Sequence, residues 1–217
     1  MLVGERMARP VITVPPDMPI QEALNLMHKE KVRRFPVVDS HGKMVGLVSE
    51  KDLLNASPSD ATTLSVWEIS YLLSKITVEK VMSKKLITIT EDTPIEDAAR
   101  LMADKKIGAL PVLRDNELVG IITETSLFKI LIELMGARRS GVRMEVLSDD
   151  KPGNLSKLSR AIYELGGNII SFATFMGESA GTSLLMFKVE GVEKDKLKAT
   201  IEPMVRKIVD IRETHIV

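Results

Sequence analysis

The sequence predicts an α/β chain of two different parts, a duplicated β-α-β-β-α unit followed by a shorter βαββαβ tail. Three observations carry that expectation. MARPVITVPPDMPIQEALNLMHKEKVRRFPVV from Met7 aligns without gaps with MSKKLITITEDTPIEDAARLMADKKIGALPVL from Met82, an offset of 75 residues. After the pairs Pro36-Val37 and Pro111-Val112 the second copy loses one residue, and GLVSEKDLL from Gly46 then matches GIITETSLF from Gly120. Beyond Gly141 the repeat stops and a new order of periodic segments begins.

Each element of the repeat has a local cause. Val11–Val14 and Leu86–Ile89 are β-branched runs closed by turn residues, which predicts short strands. Thr93-Pro94-Ile95-Glu96 has the form of a capping box with Thr93 as N-cap. The helix that follows places Ile95, Ala98, Ala99 and Met102 on one face, as Ile20, Ala23, Leu24 and Met27 do in the first copy. Those methionines read as core. Strands around Phe35-Pro36-Val37 and Leu110-Pro111-Val112, the Gly46 and Gly120 segments, and a second helix complete each copy. Units of roughly 50 residues are too small to close a core alone, so the copies should pair about a pseudo-twofold axis and leave two related clefts. Between them, Leu64, Trp67, Tyr71 and Leu72 predict a connecting helix within 57–76.

Composition narrows the function. The 217 residues carry 30 basic and 30 acidic side chains, 19 of each up to Ser140 and 11 of each after it, so neither part has the basic surplus that binding a polyanion requires. With 44% apolar but only 4% aromatic residues, the cores must be aliphatic and Met-rich. There is no cysteine, hence no disulfide or thiolate chemistry, and no apolar run of about 20 residues or N-terminal hydrophobic block. A cytoplasmic protein without nucleic-acid or membrane partners is expected.

The paired motif h-P-V-h and G-h-h-[ST]-x-x-[DS]-L resembles that of CBS domains, in tandem. The resemblance covers residues 1–136: copy one over about 1–56, the connecting helix over 57–76, copy two over about 77–136. It implies a regulatory module that binds an adenosine-containing ligand such as AMP, ATP or S-adenosylmethionine. Residue by residue, Ser49 and Asp52 match positions that bind phosphate or ribose. Thr13, Val14, Phe35, Pro36 and Val37 match the segments that hold adenine. Arg33 and Arg34, with Lys31, are the nearest cations. Chemically, a carboxylate can take two hydrogen bonds from a vicinal diol, and a Ser at a strand-to-helix turn can face an anion. Ser49 and Asp52 equally suit a plain helix cap. The stretch between the copies is similar to that of AcuB-type acetoin-utilisation proteins, which implies a link to acetoin utilisation.

The second copy departs from the motif. Thr123 is kept, but Ser126 stands where copy one has Asp52. A second, weaker site is expected from Thr88, Ile89, Leu110, Pro111, Val112 and Thr123. Lys84 and Lys85, after Met82, suit either phosphates across the pair or, more commonly, an exposed turn.

In the tail, 137–141 reads as a linker and 142–217 as a separate domain. Arg143–Leu147, Ile169–Phe175, Thr182–Val189 and Ile208–Ile216 are predicted strands, with helices carrying Leu155, Leu158, Ile162 and Leu165, and Glu193 to Lys207. This is a ferredoxin-like order. Pro203 must start, kink or end the last helix. Asp149-Asp150-Lys-Pro152-Gly153-Asn154-Leu155 followed by Gly166-Gly167-Asn168-Ile169 resembles an ACT domain. That implies a homodimer formed through a sheet edge and an amino-acid effector held by Asp150, Pro152, Gly153 and Asn154 with Asn168 opposite.

No catalytic constellation stands out. His28, His41 and His215 are scattered, and neither H-E-x-x-H, G-x-G-x-x-G nor a P-loop occurs. No catalytic residue, metal site or cofactor is assigned. The expectation is a non-enzymatic sensor acting on a regulated protein the sequence does not identify; the competing one is an assembly scaffold with vestigial pockets.

Overall fold

The computed structural model describes residues 1–56 and 75–215, and all but the last two residues of the expected connecting helix lie outside them. The chain divides into two compact units, Met1–Leu127 and Phe128–Val217.

In the first unit the order is α1 (Val3–Arg6), α2 (Ile20–Glu30), β1 (Arg34–Val38), β2 (Met44–Ser49), α3 (Glu50–Asn55), then α4 (Val78–Val81), α5 (Ile95–Lys105), β3 (Ala109–Arg114), β4 (Glu117–Thr123) and the start of α6 (Glu124–Leu134). β1 and β2 form one antiparallel hairpin, β3 and β4 another. The expected strands at 11–14 and 86–89 shrink to single parallel bridges, Val14 with Val37 and Ile89 with Val112. In copy one the reason is Pro15-Pro16, which removes the next two donors. In copy two the chain turns at Thr90, whose N–H donates to Thr93 Oγ1 (3.2 Å). Thr93 is thereby taken from the capping role assigned to it, and Pro94 is the N-cap of α5.

The two copies exchange their leading segments. Ala8 and Ile121 form a reciprocal pair of backbone hydrogen bonds (2.9 and 3.2 Å), and Leu47 and Ser83 form the related pair (3.0 and 2.9 Å). Accordingly Val3 and Met7 are buried in the core of copy two with Ala98, Met102, Leu110, Val112 and Ile122. Val78 enters the core of copy one with Ile20, Met27, Phe35, Val37 and Val48, flanked by Met82. The motif glycines follow from this. A Cβ on Gly46 would overlap the thioether of Met82, and one on Gly120 that of Met7.

The second unit holds β5 (Gly141–Asp149), α7 (Asn154–Glu164), β6 (Asn168–Met176), β7 (Thr182–Glu190), α8 (Lys194–Ile201) and β8 (Lys207–Thr214). The sheet is antiparallel with order β6-β7-β5-β8, as the βαββαβ reading anticipates. Alternation along β5 sends Val142, Met144 and Val146 into a core with Leu158, Ile162, Phe187, Val189, Leu197 and Ile201. Pro203 ends α8, which tightens into a 3₁₀ turn over Glu202–Met204. The expected linker 137–141 is tied into this unit: Lys188 Nζ donates to Gly136 O (2.9 Å), and Arg139 pairs with Glu190 (2.6 Å).

Two outcomes follow. Gly46→Ala and Gly120→Ala should each lower stability by about 1–3 kcal/mol, read from urea unfolding, because each Cβ displaces a methionine that closes the other copy's core. Asp149 is held below its ordinary 3.8 by Lys151 and Arg206, Asp210 by Arg212 and Arg143, and Glu190 below 4.5 by Asn168 and Arg139. A carboxyl group depressed on folding stabilises above its unfolded pKa and loses that contribution as pH falls through the folded one. Thermal melting should therefore drop on acidification below those ordinary values, and Asp149→Asn with Asp210→Asn should flatten the drop.

Candidate functional site

The exchanged segments shape a cleft between the copies. A cavity of about 290 Å³ lies there, near the roughly 300 Å³ lower bound of small-ligand pockets. Copy one contributes Arg34, Leu47, Ser49 and Asp52. Copy two contributes Lys85 with Leu86 and Ile87 from the segment after α4, and Lys106, Ile107, Gly108, Ala109 and Pro111 from the turn after α5 and the start of β3. The cavity thus has an apolar wall from one copy, a Ser-Asp pair from the other, and cations from both.

The Ser-Asp pair is held rigidly. Ser49 is the N-cap of α3, and its N–H (2.9 Å) and Oγ–H (2.6 Å) both donate to Asp52 Oδ2, while Asp52 N–H donates back to Ser49 Oγ (3.3 Å). Capping and ligand roles are therefore compatible: the cap engages Oδ2, and Oδ1 stands outside it. A carboxylate has that spare oxygen; a hydroxyl does not. In copy two the same box is closed by Thr123 and Ser126, with Thr123 N–H to Ser126 Oγ and Ser126 N–H to Thr123 Oγ1 both at 3.3 Å, so the single oxygen of Ser126 serves the cap.

Arg34 is half-buried and reaches across the copies to 4.0 Å from Glu124. It passes over Gly108, where a Cβ would overlap its guanidinium. By the repeat, copy one carries Arg33 in the place of Gly108, a second difference between the copies beside the Asp-to-Ser change. Arg33 itself is exposed, its side chain 4.0 Å from Glu50. Lys31, left-handed with φ 54°, ends α2, and Lys106 ends α5 in the same way. Lys84 turns to Glu79 (3.1 Å).

Several expected contacts are separated from this cavity. Val14, Phe35, Pro36, Val37, Leu110 and Val112 are buried, their side chains used by the cores, and Ile89 is half-buried. Thr13 and Thr88 line a different groove beside the two hairpin turns, with His41, Lys43, Asp115 and Glu117. That groove takes Met44 from the start of β2 where the cavity takes Leu47 and Ser49 from its end, and Leu86 borders both. Pro111, expected in the weaker site, lines the cavity. Val14, Phe35, Val37, Leu110 and Val112 are withdrawn because each completes the core of its own copy. Leu86 and Ile87 lie beside Asp52 because Ser83, just before them, is hydrogen-bonded to Leu47 of copy one, and repeat alignment carries no signal for that pairing between copies.

In the tail, Gly153 is left-handed (φ 87°) and is the N-cap of α7. Asp150, Pro152 and Gly153 are exposed, and Asn154 Nδ2 donates to Asp149 O (2.6 Å). Asn168 does not face them within one chain. The eleven residues of α7 put it about 16 Å away, where it donates to Glu190 (2.8 Å). Among the described residues no group of three His, Asp or Glu side chains could hold a metal ion, and no helix is long and apolar enough to cross a membrane.

The family model for the CBS domain matches residues 3–59 and 78–133, more than half of the chain. The chain belongs to the CBS-domain family. A CBS domain-containing protein of Dictyostelium discoideum is 29% identical over 136 residues, covering 62% of this chain and 94% of the relative. The CBS pair of protein MJ0100, solved with 5′-methylthioadenosine and S-adenosyl-L-methionine, is 28% identical, covers 64% of this chain and 98% of that one, and superposes with a TM-score of 0.51. CBSX2 in complex with AMP gives 29%, 61%, 97% and 0.52 in the same order. The structure of an acetoin utilization protein (AcuB) from Vibrio cholerae gives 30%, 63%, 93% and 0.53.

Proposed function

We propose that this CBS pair is a sensor with one competent site for an adenosine-containing ligand, in the cavity closed by Asp52. The observation that carries the reading is the capping box of Ser49 and Asp52, which presents Asp52 Oδ1 beside a mixed apolar and cationic wall. Oδ1 receives a ribose hydroxyl, Leu86, Ile87 and Pro111 cover the base, and Arg34, Lys85 and Lys106 meet phosphate where the ligand has one. The ligands in the MJ0100 and CBSX2 structures support the adenosine class. Because the ligand would touch both copies, it favours one arrangement of the pair over another, which is the basis for regulating a partner.

The tail completes this reading as an ACT-like module that pairs two chains through a sheet edge, with an amino-acid effector at the Asp150–Asn154 turn. Its edge strand β6 supports pairing, since Phe172, Phe175 and Met176 are 37%, 51% and 95% exposed. A cytoplasmic role in acetoin utilisation fits the likeness to the Vibrio cholerae protein.

Calorimetric titration with AMP, ATP and S-adenosylmethionine should give one equivalent of at least one ligand per chain. Asp52→Ala should weaken it roughly 10- to 150-fold, as expected for loss of a charge-assisted hydrogen bond. Silence with all three ligands, or full affinity in Asp52→Ala, contradicts the site. Sedimentation should show a dimer that Phe175→Lys converts to monomer.

A further inference from the structure

The face of the tail's sheet turned away from α7 and α8 carries an unusual row. Register places Ser171 of β6 opposite Lys188 of β7, Lys188 opposite Arg143 of β5, and Arg143 opposite Arg212 of β8. Three cations therefore stand side by side across adjacent strands, an arrangement that is destabilising unless the charge is answered.

Two carboxylates answer it in part. Asp210 accepts from Arg212 (2.6 Å) and from Arg143 (2.8 Å), and Glu145 pairs with Arg143. Lys188 is left over. It is 5% exposed, and its ammonium donates only to carbonyl oxygens, those of Gly136 and Arg139. No described carboxylate lies within ion-pair distance of it, and its neighbour Arg139 is already matched by Glu190. Burial and the charge of Arg139 both push the Lys188 ammonium below its ordinary pKa. Two carbonyl bonds use two of the three ammonium hydrogens. A buried ion is ordinarily retained with a counter-charge, and here the row is short by one negative charge.

Beside Lys188 lies a cavity of about 340 Å³. Its titratable lining residues among those described, Lys188, Arg143 and His215, are all basic; Ser171 and Thr214 also line it, with their hydroxyls donating to Met135 O (3.2 Å) and Gly141 O (2.9 Å). Met135 and Met186 supply apolar wall. We propose that this cavity is a binding site for a small monocarboxylate, its carboxylate against Lys188 and its short apolar body against the methionines. The site is separate from the Asp150–Asn154 turn and from the nucleotide cavity. With no acidic lining residue to receive an ammonium, a simple carboxylic acid is preferred to an amino acid.

The test titrates the full chain with sodium butyrate and sodium 3-methylbutyrate at constant ionic strength, with butyramide and 2-aminobutyrate as matched controls, by calorimetry and thermal melting. Both carboxylates should bind at one per chain and raise the melting temperature; butyramide should do neither and 2-aminobutyrate should bind more weakly. Lys188→Met keeps length and removes charge, and should weaken butyrate roughly 10- to 150-fold. Equal responses to butyrate and butyramide, no response to either carboxylate, or undiminished butyrate binding in a folded Lys188→Met protein would each overturn the proposal. The comparison of acid with amide needs no variant, so it decides the matter even where Lys188→Met does not fold.

Discussion

The first unit depends on the exchange of leading segments between its two copies. Met82 lies on Gly46 and Met7 on Gly120, and the short helices carrying Val78 and Val3 enter cores built by the opposite copy. Neither copy is a finished domain. Each buries its apolar helix face only when the other lends it a segment, as expected for units of about 50 residues that cannot close a core alone. The glycines of the repeated motif follow from that packing: the methionine must approach the strand backbone closely, and any side chain would hold it off.

The same exchange makes the cleft bipartite. Ser49 and Asp52 arrive from β2 and α3, while Leu86, Ile87 and the turn around Lys106 arrive from the other copy. A ligand placed there would touch residues that belong to two repeats, which is the physical condition for binding to bias their arrangement. The cap and the candidate ligand contact draw on different oxygens of one carboxylate, so Asp52 is positioned before any ligand arrives. Replacing that carboxylate by the hydroxyl of Ser126 keeps the cap and removes the spare acceptor. Two copies with the same order of elements are thereby given different chemistry.

The tail solves a different problem with the same means. Its helices cover one face of the sheet, and the alternating residues of β5, β6 and β7 leave the other to ion pairs and to the turn at 135–139. Lys188 is central to that face. A lysine in the middle of a strand otherwise rich in Leu, Met, Phe and Val looks like a solvent-facing residue in an alternating pattern, yet it is buried because the residues after α6 fold over it.

The sequence by itself determined the repeat, the helix, hairpin and helix of each copy, the order of elements in the second unit, the helix faces of Ile20, Ala23 and Met27 and of Ala98 and Met102, and the difference between Asp52 and Ser126. All of these rest on periodicity, turn chemistry or direct comparison of two copies, which are local. It missed the short extent of the strands at Val14 and Ile89, the N-cap at Pro94, and most of the apolar wall of the cavity. The tertiary structure alone decided which copy each leading segment completes, that Leu86, Ile87, Lys106 and Pro111 share a cavity with Asp52, and that Thr13 and Thr88 line the neighbouring groove instead. It also decided that Lys188 is enclosed and that Asn168 stands a helix length from Asn154. In the first unit the reason is that two similar motifs predict equally well a self-contained and an exchanged pairing, which only the packing of Met7 and Met82 onto the opposite strands separates; in the tail it is that Lys188 is enclosed by the carbonyls of Gly136 and Arg139, some fifty residues away in sequence.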